Sequence, residues 1–192
     1  MVIVLSSKVG VVLMGNKLLW LSNSPFTATG YATITRNVLN FLSDDVDCNC
    51  IGHNYYGMNT VPPITFEDGS NIKFKMMGTG KAKYAMDIVS NAIKKNRYDY
   101  FGVLLDTFML YEAGFLNVDT SPAKTFFYFP SDGGACLPRD CHKILRKIHY
   151  PISMSRFGRD QVKKVYGIDS IYIPHGVDTS IFYSLSADER LK

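Results

Sequence analysis

Apolar residues along this chain fall into short runs separated by amphipathic stretches, and the two kinds alternate. Residues 18–22 form an apolar run that stops at a Ser/Asn/Pro turn, which predicts a buried strand. From residue 30 to 42 the apolar positions Ile34, Val38, Leu39 and Leu42 recur at helical spacing. Residues 48–52 read as a second strand, and residues 54–70, rich in Tyr, Gly, Asn and Pro, read as loop. Residues 72–77 alternate Ile, Phe and Met with Lys, as a strand near a sheet edge does. A helix is predicted over 82–95, with Tyr84, Ala85, Ile88, Val89, Ala92 and Ile93 inward. Lys94 and Lys95 fall near its C-terminus, where cations suit the helix dipole.

The second half continues the alternation. Residues 101–105 are the most apolar short run and predict a central strand. Strands follow at 125–129, 151–154 and 170–173, and helices at 140–148 and 156–166, the last closed by Gly167 as a C-cap. Such alternation implies βα units: an α/β fold with a parallel sheet and helices on both faces, Rossmann-like in kind. Neither an internal repeat nor a low-complexity tract interrupts it, and no domain boundary falls before Pro174. The expected organisation is a segment at 1–13, a domain at 14–174 and a linker at 175–192. Residues 1–13 are too short and interrupted to span a bilayer and lack the basic start of a secretory signal. Met14 is read as an alternative start.

Composition narrows the function classes. The chain has 192 residues, 46% hydrophobic and 20% charged, an ordinary globular balance. A net charge of +4 permits anionic partners but lacks the concentrated basic stripe of a nucleic-acid binder. Four cysteines, Cys48, Cys50, Cys136 and Cys141, read as reduced thiols of a cytoplasmic protein. Cys48 and Cys50 share one strand face, and a zinc site would need the wider pair to approach them. The absence of an Asn-x-Ser/Thr sequon with a permitted middle residue fits a non-secreted protein.

In a sheet of this kind ligands sit beyond the C-terminal ends of the strands, so the residues after each strand carry the information. After the first strand, a small-residue loop, Ser24 to Tyr31, feeds a helix N-terminus. Thr29, Gly30 and Tyr31 there offer backbone N–H groups to an anion, or Gly30 merely serves a turn. Neither a GxGxxG nor a GxxxxGK[ST] pattern occurs. Asp106, after the fourth strand, is either a ligand for a sugar hydroxyl or an N-cap. Phe129-Pro130-Ser131-Asp132-Gly133-Gly134 places a carboxylate in a turn whose glycines let the backbone approach a ligand; the plain alternative is an Asp-Gly turn. Arg139, His142, Lys143, Arg146 and Lys147 share one helical face, either a surface for anionic membrane or a solvated face.

The last forty residues add a resemblance. Pro151-Ile152-Ser153-Met154-Ser155-Arg156-Phe157-Gly158-Arg159-Asp160, then Val165-Tyr166-Gly167-Ile168, then Ile173-Pro174-His175-Gly176-Val177-Asp178 resemble a stretch of the retaining family 4 glycosyltransferases of GT-B fold. That stretch leads out of the N-terminal domain, and the family commonly has Asn where His175 stands. The resemblance implies the N-terminal, acceptor-side half of a GT-B fold. Thr29, Gly30 and Tyr31 would approach the donor diphosphate, and Asp106, Asp132, Gly133 and Gly134 would line the acceptor cleft. Asp132 is the candidate catalytic carboxylate, where many members have His. Pro174, His175, Gly176 and Asp178 would form the hinge.

The implied activity is transfer of a sugar from a nucleotide-sugar, which is a substrate rather than a cofactor, with no metal. Partners would be a sugar, glycan or lipid-linked acceptor and a second GT-B domain on the same or another chain; no nucleic acid is expected. Without the second domain the chain is expected to be nearly inactive. Asp45-Val46-Asp47 matches the metal-binding Asp-x-Asp of the other glycosyltransferase fold but lies in a helix-to-strand turn, and reads as surface. The competing reading is a non-catalytic Rossmann-like binding or scaffold module.

Overall fold

A computed structural model describes residues 16–60, 62, 64–66, 71–79, 83–131, 141–179 and 182–184. Along the chain the elements are β1 (Lys17–Asn23), α1 (Gly30–Leu42), β2 (Asp47–His53), β3 (Ile64–Thr65), β4 (Asn71–Ile72), β5 (Lys75–Met77), α2 (Met86–Asn96), β6 (Tyr100–Leu104), α3 (Thr107–Glu112), β7 (Lys124–Phe129), α4 (Cys141–Lys147), β8 (Tyr150–Ser153), α5 (Arg156–Tyr166) and β9 (Ile171–Tyr172). Seven of the strands form one sheet in the order β5-β2-β1-β6-β7-β8-β9, and every neighbouring pair is parallel. The predicted α/β, Rossmann-like parallel sheet is what forms. From β1 the chain works outward through β2 to β5, then returns to the other side of β1 at β6. The strand order therefore reverses between β1 and β6, which opens a crevice at their C-terminal ends.

Two cores lie on opposite faces of the sheet. Leu19, Leu21, Phe101, Val103, Phe127 and Phe129 point to one face and pack with Val89 and Ile93 of α2, Leu110 of α3, Ile144 and Leu145 of α4 and Val162 of α5. Leu18, Trp20, Cys48 and Cys50 point to the other and pack with Leu39 of α1. Both thiols are buried there with Trp20, and burial pushes that of Cys48 up to about 11 and that of Cys50 up further, so neither is a ready metal ligand. The indole of Trp20 donates to Thr35 Oγ1 at 3.2 Å, tying α1 to β1. Helices thus cover both faces, but unequally: among the described residues four pack on one side and α1 on the other.

Two sequence expectations change. The strand expected over 72–77 divides into β4, which pairs antiparallel with β3 inside the stretch expected to be loop, and β5, which joins the main sheet. The cause is Asn40 on α1. Its amide donates to Asn71 O at 2.6 Å and accepts from Lys73 N at 2.9 Å, taking backbone groups that a continuous strand would use. The helix expected from residue 82 starts as α2 at Met86, after a 3₁₀ turn in which Tyr84 and Ala85 hold φ of 60° and 58°. The helix at 156–166 stops as predicted, with Gly167 at φ 65° in the left-handed C-cap. The segment 1–13 lies outside the described residues, as does most of 180–192. Among the described residues no helix is long and apolar enough to cross a membrane.

Candidate functional site

The β1–α1 loop is built to hold the α1 N-terminus at the crevice. Thr29 caps α1, its Oγ1 accepting from Ala32 N at 3.1 Å and from Asn23 Nδ2 at 3.2 Å. Ser24 N donates to His53 O at 2.9 Å, so the loop is also pinned to the end of β2. Gly30 opens the helix with no close neighbour where a Cβ would stand, and without a left-handed φ. Its missing side chain therefore serves neither the turn nor the packing. What it leaves is open space over the helix N-terminus, whose first N–H groups lack intrahelical partners.

Asp106 follows β6 on the other side of the crevice. It occupies the N-cap position of α3, yet its side chain makes no capping bond. One carboxylate oxygen instead accepts from Tyr31 Oη at 2.9 Å. Asp106 thus stands at the cap position without a capping bond, and Tyr31 and Asp106 form a bridge across the switch point. Among the described residues three buried polar atoms at these strand ends have no hydrogen-bond partner: Ser22 Oγ and Asn23 Oδ1 at the end of β1 and Ser131 Oγ just past β7. Ser131 touches the start of α5, where a Cβ on Gly158 would come within 2.9 Å of Ser131 Oγ. Glycine at 158 is what permits this contact, while Ser155 caps α5 by accepting from Gly158 N at 2.9 Å.

The segment after β9 docks back on the sheet. Tyr128 Oη lies 3.1 Å from Ile173 O and 3.0 Å from His175 Nδ1. A hydroxyl has one proton, so both contacts hold together when Tyr128 donates to Ile173 O and His175 Nδ1–H donates to Tyr128. That order leaves Nε2 of the neutral imidazole as an acceptor. Burial pushes the Tyr128 phenol up to about 12 and holds His175 below the usual imidazole range. Pro174, Gly176 and Asp178 follow in an irregular segment beside this contact.

Asp132, Gly133, Gly134 and Arg139 lie outside the described residues. Of the basic face, Lys143 and Arg146 are exposed, but Lys147 is not part of a free surface. Its Nζ donates to the carbonyls of Phe115, Leu116 and Val118 at 3.0, 2.9 and 2.6 Å and stands over the Phe115 ring. Arg146 reaches the Tyr166 carbonyl at 3.4 Å. The membrane face expected from helical periodicity is thus reduced, because the helix wheel does not see the carbonyls of the preceding turn. Asp47 of the Asp-x-Asp pairs with Lys75 at 3.0 Å at the sheet edge away from the crevice. Among the described residues no group of three or more His, Cys, Asp or Glu gathers as a metal site.

One pair was missed in the sequence. His53, the last residue of β2, packs against Tyr84 with ring centroids 4.6 Å apart and the planes tilted by 44°. Asn54 next to it, like Tyr84 and Ala85, holds a positive φ. Left-handed backbone at non-glycine residues costs about 1–3 kcal/mol each and gathers where function constrains a chain. The rule that ligands follow strand ends would have flagged His53. No family model and no curated protein matches the sequence.

Proposed function

We propose that this domain is the acceptor-side half of a GT-B glycosyltransferase, holding an acceptor sugar or glycan at the β1–β6 switch point while a nucleotide-sugar is presented by a second domain. The observation that carries the reading is the Tyr31–Asp106 bond, which brings the helix-capping loop and a strand-tip carboxylate to one crevice. A carboxylate held by a phenol and released from capping suits a sugar hydroxyl, since it accepts where a hydroxyl donates. The α1 N-terminus, open above Gly30, suits a phosphate group of the donor. The resemblance of residues 151–178 to the retaining family adds the reaction class, with Asp132 as the candidate catalytic carboxylate. Partner helix dipoles and cations would stabilise the departing diphosphate.

Calorimetry of the chain against UDP-, GDP- and ADP-sugars and against glycan and lipid-linked acceptors tests this. Acceptor binding with weak nucleotide binding is the expected outcome. Tight nucleotide binding by the chain alone would replace the reading with a self-sufficient nucleotide-binding module.

A further inference from the structure

Away from the crevice, on the outer flank of the sheet, a cavity of about 480 Å³ lies between the edge strand β5 and α2. Its size falls among small-molecule sites, about 300–1,000 Å³. Its lining is unusual for a parallel sheet. Asn49 sits in β2, where an inner parallel strand is normally apolar, and is only 9% exposed. Its amide nitrogen has one long contact, 3.4 Å to Asp47 Oδ1. Thr60 Oγ1, also in the lining, is buried without a partner. Asn59 accepts from Gly78 N through its oxygen at 3.0 Å and Asn96 donates to Ala92 O at 3.1 Å, which leaves one amide group of each for a ligand. Asn91 stands exposed on α2 at the rim.

The chemistry of this lining selects among ligands. Neutral amides and a hydroxyl offer donors and acceptors in near balance, which matches a molecule whose every group is both, a polyol. A phosphate ligand would find Lys95 alone, exposed at the rim, since Lys75, the other lysine of the lining, already pairs with Asp47. A nucleobase has no open aromatic face to stack on, because Tyr98 is 3% exposed. An added peptide strand is blocked, since the outward N–H and C=O of Met76 are both bonded to Thr60. Met77 and Ile88 supply an apolar wall for the C–H face of a sugar ring.

We infer that this cavity is a second, non-catalytic carbohydrate site that takes neutral oligosaccharide, two strands away from the crevice and independent of the function proposed for it. The test is titration of the full chain with maltotriose, cellotriose and mannotriose, followed by calorimetry and by the Asn side-chain amide signals in ¹H–¹⁵N spectra. At least one trisaccharide is expected to bind with Kd of about 1 mM or tighter and to move the Asn49 and Asn91 amides. Affinity read at the Asn49 amide should fall at least tenfold in the double variant Asn91→Ala/Thr60→Val. Asn91→Ala alone, a favourable change on an exposed helix face, gives the same readout if the double variant does not fold. Saturable binding by none of the three, or binding that survives these cavity substitutions and is lost in Asp106→Ala, overturns the inference; the latter would place the glycan in the crevice and leave that reading standing.

Discussion

Tyr31 and Asp106, 75 residues apart, meet at 2.9 Å across the point where the strand order reverses. The bond fixes the carboxylate without using it as a cap. Asp106→Ala should cost about 1.5–3 kcal/mol of stability, the scale of a hydrogen bond to a charged group, while acceptor affinity falls about tenfold, or about 1.4 kcal/mol. Tyr31→Phe should do less alone. A double-mutant cycle read by calorimetry should give a coupling of about 0.5–3 kcal/mol; additivity would mean that the pair does not act together on the ligand.

Gly30 gives a test in which stability and binding move oppositely. A Cβ there meets nothing in the fold. Gly30→Ala should stabilise α1 by about 0.5–1 kcal/mol through lower unfolded-state entropy. The added methyl would stand over the helix N-terminus, so phosphate or nucleotide-sugar affinity should drop. Thermal melts and calorimetry on the same variant check both; a gain in stability with unchanged anion affinity would remove the anion role of this loop.

Most of the sheet was legible because inner parallel strands are apolar on both faces, and runs such as 101–105 and 125–129 show it plainly. The β3–β4 ribbon was not, because Asn40, distant in sequence, decides where residues 71 and 73 send their hydrogen bonds. The short α3, six residues, lies below the length at which periodicity speaks. Tyr31 and Asp106 were each visible as positions after a strand, but their bond needs the strand order, which no local pattern contains. Lys147 was placed on a basic face by its helical spacing, and only the neighbouring turn shows why it points inward.

His175 makes the docking of the segment after β9 sensitive to acid. Burial holds its folded pKa below the usual imidazole value of 6.5. A base with a depressed folded pKa contributes stability that is present above the unfolded value and lost as pH falls through the folded one. Melting temperature should therefore decline on moving below pH 6.5, and the part due to His175 should vanish in His175→Asn. Tyr128→Phe should lower stability by about 1 kcal/mol through the lost bonds to Ile173 and His175. An acid-side decline identical in His175→Asn would assign it to other groups.

Lys147 is predicted to be a structural cation rather than a membrane contact. Three carbonyls converge on its ammonium, and burial lowers its pKa while Asp119 partly restores it. Lys147→Met keeps the aliphatic stem but leaves the carbonyls without a donor, so unfolding in urea should show a loss of about 2–3 kcal/mol, the scale of a charged hydrogen-bond set. Lys147→Arg should recover little, because a planar fork cannot send three donors from one nitrogen to three carbonyls as an ammonium does. Lys143→Met, exposed on the same helix, should change stability by about 0.5 kcal/mol or less. If Lys147→Met is as mild as Lys143→Met while binding to anionic vesicles falls in both, the basic face is a membrane surface after all. A stability loss confined to Lys147→Met, with vesicle binding unchanged, fixes its role in the turn beneath α4.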